Sequence, residues 1–275
     1  MGRKRDLVSK TASKIARPLS AISKTRRQKY QNSPRLVILM FHHVSNQAAS
    51  SQEERDLMMT PAEFRGYCEF FKERFELCTF LEAAYLLKHG PSKKPLMVFT
   101  FDDGYTDFYE TVFPILKELD IPANQNIIVK YADENRPGYL NWKQIKELKD
   151  SGLVELGCHT YNRHYLINGK SALENLSKEE ILKDLSKAEE SFFEHMGCPM
   201  NVLAWPYGTK PRNISTEDLK KLGFKFWLGT TSGINFGPIE YKHLNRFAAL
   251  GFESPEKLLS IIEGYDALGF VMHKN

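Results

Sequence analysis

The stretch LMVFTFDDGY, residues 96–105, decides how the rest of the chain is read. Its first six residues are a short apolar run bounded by turn formers, the pattern of a strand buried on both faces. Two adjacent carboxylates, Asp102 and Asp103, follow at its end, and then Gly104. Asp-Gly is also ordinary turn chemistry, so the pair takes its meaning from its surroundings.

Similar short runs recur along the 275 residues: LVILMF (36–41), NIIVK (126–130), LVELGC (153–158), VLAW (202–205), KFWLGT (225–230) and LNRFAAL (244–250). Helical segments with start and stop signals lie between them. Thr60-Pro61-Ala62-Glu63 supplies an N-cap, a first-turn proline and a capping-box glutamate. Ser177 to Glu180 opens a helix running to about Met196 that Gly197 can close, and Ser254-Pro255 opens the last one. Seven strand-then-helix units over about 240 residues predict an α/β fold with a parallel sheet, an incomplete (β/α)7-type barrel. A doubly wound open sheet is the rival arrangement.

Composition agrees with one large core, at 42% hydrophobic and 12% aromatic residues, with no repeat or low-complexity tract. Residues 1–35 hold eleven Lys or Arg against one acid, Asp6, which gives about +10, while the remaining 240 residues carry about −6. The sequence therefore divides into a basic arm, 1–34, and an acidic body, 35–275. The acidic body argues against specific nucleic-acid binding, whereas the arm, with Ile15, Leu19 and Ile22 at helical spacing, suits either a disordered tail or an anionic membrane surface. It lacks the run of about 7 to 15 apolar residues of a secretory signal. The four cysteines, Cys68, Cys78, Cys158 and Cys198, make no C-x-x-C pair and read as free thiols.

In parallel α/β folds the chemistry gathers at the carboxyl ends of the strands. Asp102 and Asp103 lie at such an end, and a glycine after them lets the backbone turn so that both side chains reach the barrel mouth. The strand LVELGC runs directly into HTYNRH, which places His159 and His164 at another strand tip. Five residues on a helix turn about 500°, so a shared ligand would require loop geometry. Two imidazoles and a carboxylate suit Zn²⁺, or Fe²⁺, Co²⁺ or Ni²⁺, with positions left open for water and substrate. By themselves the histidines also fit two surface residues.

TFDDGY, HTYNRH and WPYG (205–208), in that order at strand ends, resemble the polysaccharide deacetylases of the NodB-homology family, the family 4 carbohydrate esterases. The likeness covers about residues 36 to 250. The spacing H-T-x-N-x-H, with FHHV ahead of the aspartates, resembles the intercellular-adhesion branch, which deacetylates poly-β-1,6-N-acetylglucosamine in biofilms and carries a catalytic histidine near its N-terminus. The resemblance implies the NodB deacetylase barrel, a metal held by Asp103, His159 and His164, Asp102 as general base, and the main-chain N–H of Tyr207 as oxyanion donor. His42, the first of the pair in LMFHHVS, is the implied general acid ahead of His43, and His273 near the C-terminus is the rival.

Commoner members carry an arginine two residues before the proline of the PYG motif, where this chain has Ala204; Arg246 on a later strand can supply that charge. Trp205 is a candidate for stacking on a sugar ring and Asn162 for the acetamide. Trp142, Tyr105 and Asp107 carry weaker signals of the same kind.

Other enzyme classes fit less well. A glycosidase needs two carboxylates about 5 to 9.5 Å apart across a sugar, and it leaves the histidines unexplained. No G-x-S-x-G elbow, Walker loop or dinucleotide glycine fingerprint is present. Metal-assisted amide hydrolysis of an N-acetylglucosamine polysaccharide accounts for the most residues. Peptidoglycan or a chitin-like β-1,4 polymer is the alternative substrate, and an inactive carbohydrate-binding barrel the alternative of another class. The substrate class implies an extracellular or cell-surface site, with the cytoplasm as the alternative.

Overall fold

The computed structural model describes residues 35–272 apart from 48, 50 and 91–93; the basic arm and His273 lie outside the described residues. Seven strand positions in parallel make the barrel wall, in the order Arg35–Phe41, Leu96–Phe101, Ala123–Ile127, Val154–Cys158, Val202–Ala204, Phe226–Leu228 and a seventh that is broken in two. Its first half, Lys242–Leu244, pairs with the sixth strand, and its second half, Phe247–Ala248, pairs with the first. The break at 245–246 therefore brings the two edges of the sheet together and nearly closes it.

Strand alternation sorts the apolar residues into two cores. Leu36, Ile38, Leu96, Val98, Val202, Ala204, Phe226, Leu228 and Leu244 form an inner cluster, and Phe80, stacked on Phe226 at 5.4 Å, fills its lower end. Their sequence neighbours Val37, Leu39, Phe41, Met97, Phe99, Phe101, Leu203 and Trp227 face outward onto the helices. Burying both faces is what makes these strands continuous apolar runs.

The helix signals are met in detail. Thr60 accepts from the Glu63 N–H and Glu63 accepts from the Thr60 N–H, which starts Pro61–Arg74. Ser177 and Glu180 do the same for Lys178–Met196, which Gly197 ends in the left-handed conformation at φ 67°. All four cysteines are free, as read. Among the described residues, no helix is long and apolar enough to cross a membrane.

Two strand boundaries differ from expectation. The third strand is Ala123–Ile127, and Val129–Asp133 is helix, so most of NIIVK belongs to the turn and helix. ANQN reads as a loop because it is polar, yet Asn124, Gln125 and Asn126 are all buried. The run 244–250 is interrupted where Arg246 turns inward.

Below the inner core, Glu155 accepts the N–H of Phe80, the first residue of helix Phe80–His89, at 2.8 Å. Burial pushes its carboxyl up to about 7 from an ordinary 4.5. The folded protein therefore keeps this proton to a higher pH than the unfolded chain does. Stability is expected to fall as pH rises from about 4.5 to about 7 and to level off above, and Glu155→Gln to flatten that slope. Urea unfolding of both proteins from pH 5 to 8 checks this; equal slopes would contradict it.

Candidate metal and hydrolytic site

Asp102 ends the second strand pointing inward, as Val98 and Thr100 do before it. Asp103 would alternate outward on a straight strand, but it adopts φ 77° and Gly104 follows at φ 80°, so the chain turns and keeps both carboxylates at the mouth. Aspartate tolerates the left-handed region better than most residues. A side chain at Gly104 would press the Ile127 backbone at 3.3 Å.

His159 continues the inward face of the fourth strand. Thr160 then takes φ 69°, and the following loop is pinned from two sides. The Thr160 and Tyr161 carbonyls accept from the N–H groups of Val129 and Lys130, and Asp184 accepts from the N–H groups of Tyr161 (2.9 Å) and Asn162 (3.2 Å) while facing Arg163. This loop, not a helix, turns His164 back toward His159. Their rings lie 4.8 Å apart, and Tyr207 stacks on the outer face of His164 at 4.8 Å.

Asp103 Oδ1 stands 3.3 Å from His159 Nε2 and 3.2 Å from His164 Nε2, and the three ligand atoms lie within 4.8 Å of one another. The donor set fits a metal ion. The Nδ1 of His159 lies 2.8 Å from the Ala204 carbonyl, which only accepts, so Nδ1 carries a proton and Nε2 faces the aspartate. Asp103 Oδ1 is buried with no hydrogen-bond donor. Burial opposes the charge on Asp103, but the histidine partners outweigh it and hold the carboxyl below the usual range. Burial, with repulsion from His159, lowers His164 to about 4, so its ring is neutral at ordinary pH, as a ligand must be.

Asp102 is held differently. Arg246 grips it with both terminal nitrogens, at 2.9 Å to Oδ1 and 2.8 Å to Oδ2, and Asn126 donates to Oδ1 at 2.9 Å. Burial raises its pKa, but Arg246 and His159 reverse this and keep it well below the carboxylate range. It is ionised, and its hydrogen-bond partners are Arg246 and Asn126, whereas Asp103 faces the two imidazoles.

His42 sits just beyond the first strand, where the charges of Asp103, Asp102, Arg246 and His159 all act on it. Its Nδ1 is buried without a partner, and burial, the largest influence, lowers its pKa. His43 points elsewhere, bonding Asp107 at 2.8 Å and stacking on Tyr105 at 3.6 Å.

Trp205 has to be corrected as a sugar-stacking residue. Ala204 faces the barrel interior, so alternation turns Trp205 outward into the helix-side core, where it is 0% exposed. Tyr207, 42% exposed over His164, keeps a reachable ring. Asn162 stays in the loop between His159 and His164, anchored through its N–H. Trp142 lies against His195 at 4.1 Å, on the helix side. Sequence reading missed Asn126, Asp184 and Gly157. The signal for Asn126 was a polar residue within a strand that needed to be apolar, and Asp184 was a charge on the buried face of a long helix.

Residues 89–227 match the family model described as polysaccharide deacetylase. The chain is 28% identical over 235 residues to the poly-beta-1,6-N-acetyl-D-glucosamine N-deacetylase of Escherichia coli K12, covering 72% of this chain and 34% of that protein. It is 31% identical over 183 residues to the protein of the same name from Staphylococcus aureus MRSA252, covering 65% and 63%. The chain thus spans about a third of one relative and less than two thirds of the other. The Streptococcus pyogenes deacetylase PplD in complex with acetate superposes with a TM-score of 0.71 at 25% identity, over 83% of this chain and 98% of that one.

Asp184→Ala is expected to weaken Zn²⁺ binding by about 10- to 100-fold through loss of loop order, and His164→Ala by more. Calorimetric titration of the metal-free protein checks this, and affinity unchanged in Asp184→Ala would contradict it.

Proposed function

The chain belongs to the polysaccharide deacetylase family, and from that premise we propose that it is a metal-dependent hydrolase removing N-acetyl groups from poly-β-1,6-N-acetyl-D-glucosamine. The observation that carries the reading is the division of labour between adjacent aspartates: Asp103 faces two imidazoles, and Asp102 is ionised and held by Arg246. The names of the relatives support the β-1,6 polymer as substrate, and such a polymer places the work outside the cell or at its surface.

Held by Asp103, His159 and His164, a divalent cation, Zn²⁺ first and Co²⁺, Ni²⁺ or Fe²⁺ otherwise, supplies acidity to water near neutral pH and polarises the amide carbonyl. Asp102 accepts a proton from water as the water oxygen bonds to the acetyl carbon. The main-chain N–H of Tyr207, in a left-handed turn at φ 56° beside His164, donates to the oxyanion. His42 delivers a proton to the sugar nitrogen as the C–N bond breaks, leaving acetate and a free amine. A histidine with a lowered pKa is a strong donor in its charged form, which suits that step. Arg246 keeps Asp102 ionised, in the place of the arginine absent at Ala204. Asn162 and Tyr207 contact the sugar.

The test is acetate release from β-1,6-linked N-acetylglucosamine oligomers, with and without chelator, beside β-1,4 oligomers and Asp102→Asn. The reading predicts release that a chelator abolishes and that Asp102→Asn lowers by about 10²- to 10⁴-fold. Release indifferent to both contradicts the mechanism. Preference for the β-1,4 oligomers moves the substrate to peptidoglycan or chitin-like chains, and binding without release makes the chain a carbohydrate-binding barrel.

A further inference from the structure

The third strand holds Asn126 on its inward face, buried, with its Nδ2 2.9 Å from Asp102 Oδ1 and 3.3 Å from the Phe101 carbonyl. Both of those atoms accept only, so the amide orientation is fixed: a flipped Asn126 would set its oxygen against a carboxylate. The opposite end of the amide, Oδ1, is buried and has no hydrogen-bond partner among the described residues. An unpaired buried acceptor weakens a fold, and an apolar residue of similar size would avoid it. The unpaired oxygen is the cost of keeping an amide whose Nδ2 donates to the buried, ionised Asp102.

Gly157 faces Asn126 across the strand pair. A Cβ at 157 would stand 2.1 Å from Asn126 Oδ1, 3.1 Å from Val202 Cβ and 3.2 Å from Asn124 Nδ2. Its φ lies outside the left-handed region, so the backbone itself does not require glycine. Space for the amide does.

The hydrogen bonds on Asp102 are uneven. Oδ1 receives Arg246 and Asn126, which occupies both of its lone pairs, while among the described residues Oδ2 receives Arg246 alone. We propose that Asn126 is a positioning residue for Asp102, given room by Gly157, and that the pair reserves Oδ2 as the oxygen that accepts the water's proton. Arg246 alone presents a symmetric fork that leaves the two oxygens equivalent; the asparagine breaks that symmetry. This inference rests on the proposed role of Asp102 as base.

The experiment combines steady-state acetate release with structure in the metal-loaded full chain, for wild type, Asn126→Ala, Gly157→Ala and the double variant. The inference predicts that Asn126→Ala lowers kcat by about 10- to 100-fold, the scale of a misplaced catalytic group, with KM and Zn²⁺ affinity within about twofold of wild type. Gly157→Ala is expected to produce a similar kcat loss, and the double variant to lose far less than the product of the two, because the 2.1 Å overlap with Asn126 Oδ1 is then gone and the 3.1 and 3.2 Å contacts with Val202 Cβ and Asn124 Nδ2 remain. A crystal structure of Asn126→Ala should show the Asp102 carboxylate rotated from its wild-type plane. The inference is overturned by wild-type kcat in Asn126→Ala, by parallel losses in kcat, KM and metal affinity, by additive effects in the double variant, or by an unmoved Asp102. If wild type itself releases no acetate, the hydrolase reading fails instead, and the position of Asp102 in the Asn126→Ala crystal still decides whether the asparagine orients it.

Discussion

The interior of this barrel is organised around the pairing of Arg246 with Asp102. Arg246 is 0% exposed, and a buried guanidinium is tolerated only when its donors are satisfied. Here Nε donates to the Gly229 carbonyl at 2.7 Å, and the two terminal nitrogens reach Thr100 Oγ1 and both oxygens of Asp102. One side chain thus ties the seventh strand to the second and to the loop after the sixth. The break in the seventh strand lets a single residue turn inward while Phe247 beyond it packs on the outer core and pairs back to the first strand. Closure of the sheet and ionisation of the Asp102 carboxylate share that residue. Removing one partner leaves the other charged and buried, which costs about 3 to 5 kcal/mol in comparable sites.

Around that pair the chain accepts unfavourable backbone at three places, Asp103, Thr160 and Tyr207, all non-glycine residues with φ between 56° and 77°. Such conformations cost of order 1 to 3 kcal/mol each unless the surroundings enforce them. Each lies within three residues of a strand end, where the chain leaves the sheet at the barrel mouth. Helix-side anchors do the enforcing: Val129 and Lys130 hold the carbonyls of the histidine loop, and Asp184 holds its N–H groups. The outer helices therefore shape the mouth as well as cover the sheet.

What was legible in the sequence follows from what a linear pattern encodes. Apolar runs bounded by turn residues marked five of the seven strand positions closely, and the capping boxes at Thr60 and Ser177 marked helix starts to the residue. Asp102, Asp103, His159 and His164 could be grouped because all four follow strand ends. Alternation was harder to use, since a strand buried on both faces shows no period to say which face is inside; Trp205 therefore read as a mouth residue although it packs outward. Polar residues that serve the site hide the strand that carries them, as ANQN did. Gly157 and Asp184 act through partners 31 and 23 residues away, Asn126 and Tyr161, and only the folded register shows those contacts.

The central claim is that Arg246 holds Asp102 ionised and aimed without taking part in metal binding. The measurement that tests it most directly is acetate release alongside Zn²⁺ titration for Arg246→Met and Arg246→Lys, with folding checked by unfolding midpoint. The account predicts that both variants bind Zn²⁺ within a few-fold of wild type, that Arg246→Met loses about 10²-fold or more in kcat, and that Arg246→Lys recovers part of it, a charge without the fork. A folded Arg246→Met that releases acetate at the wild-type rate would contradict the account.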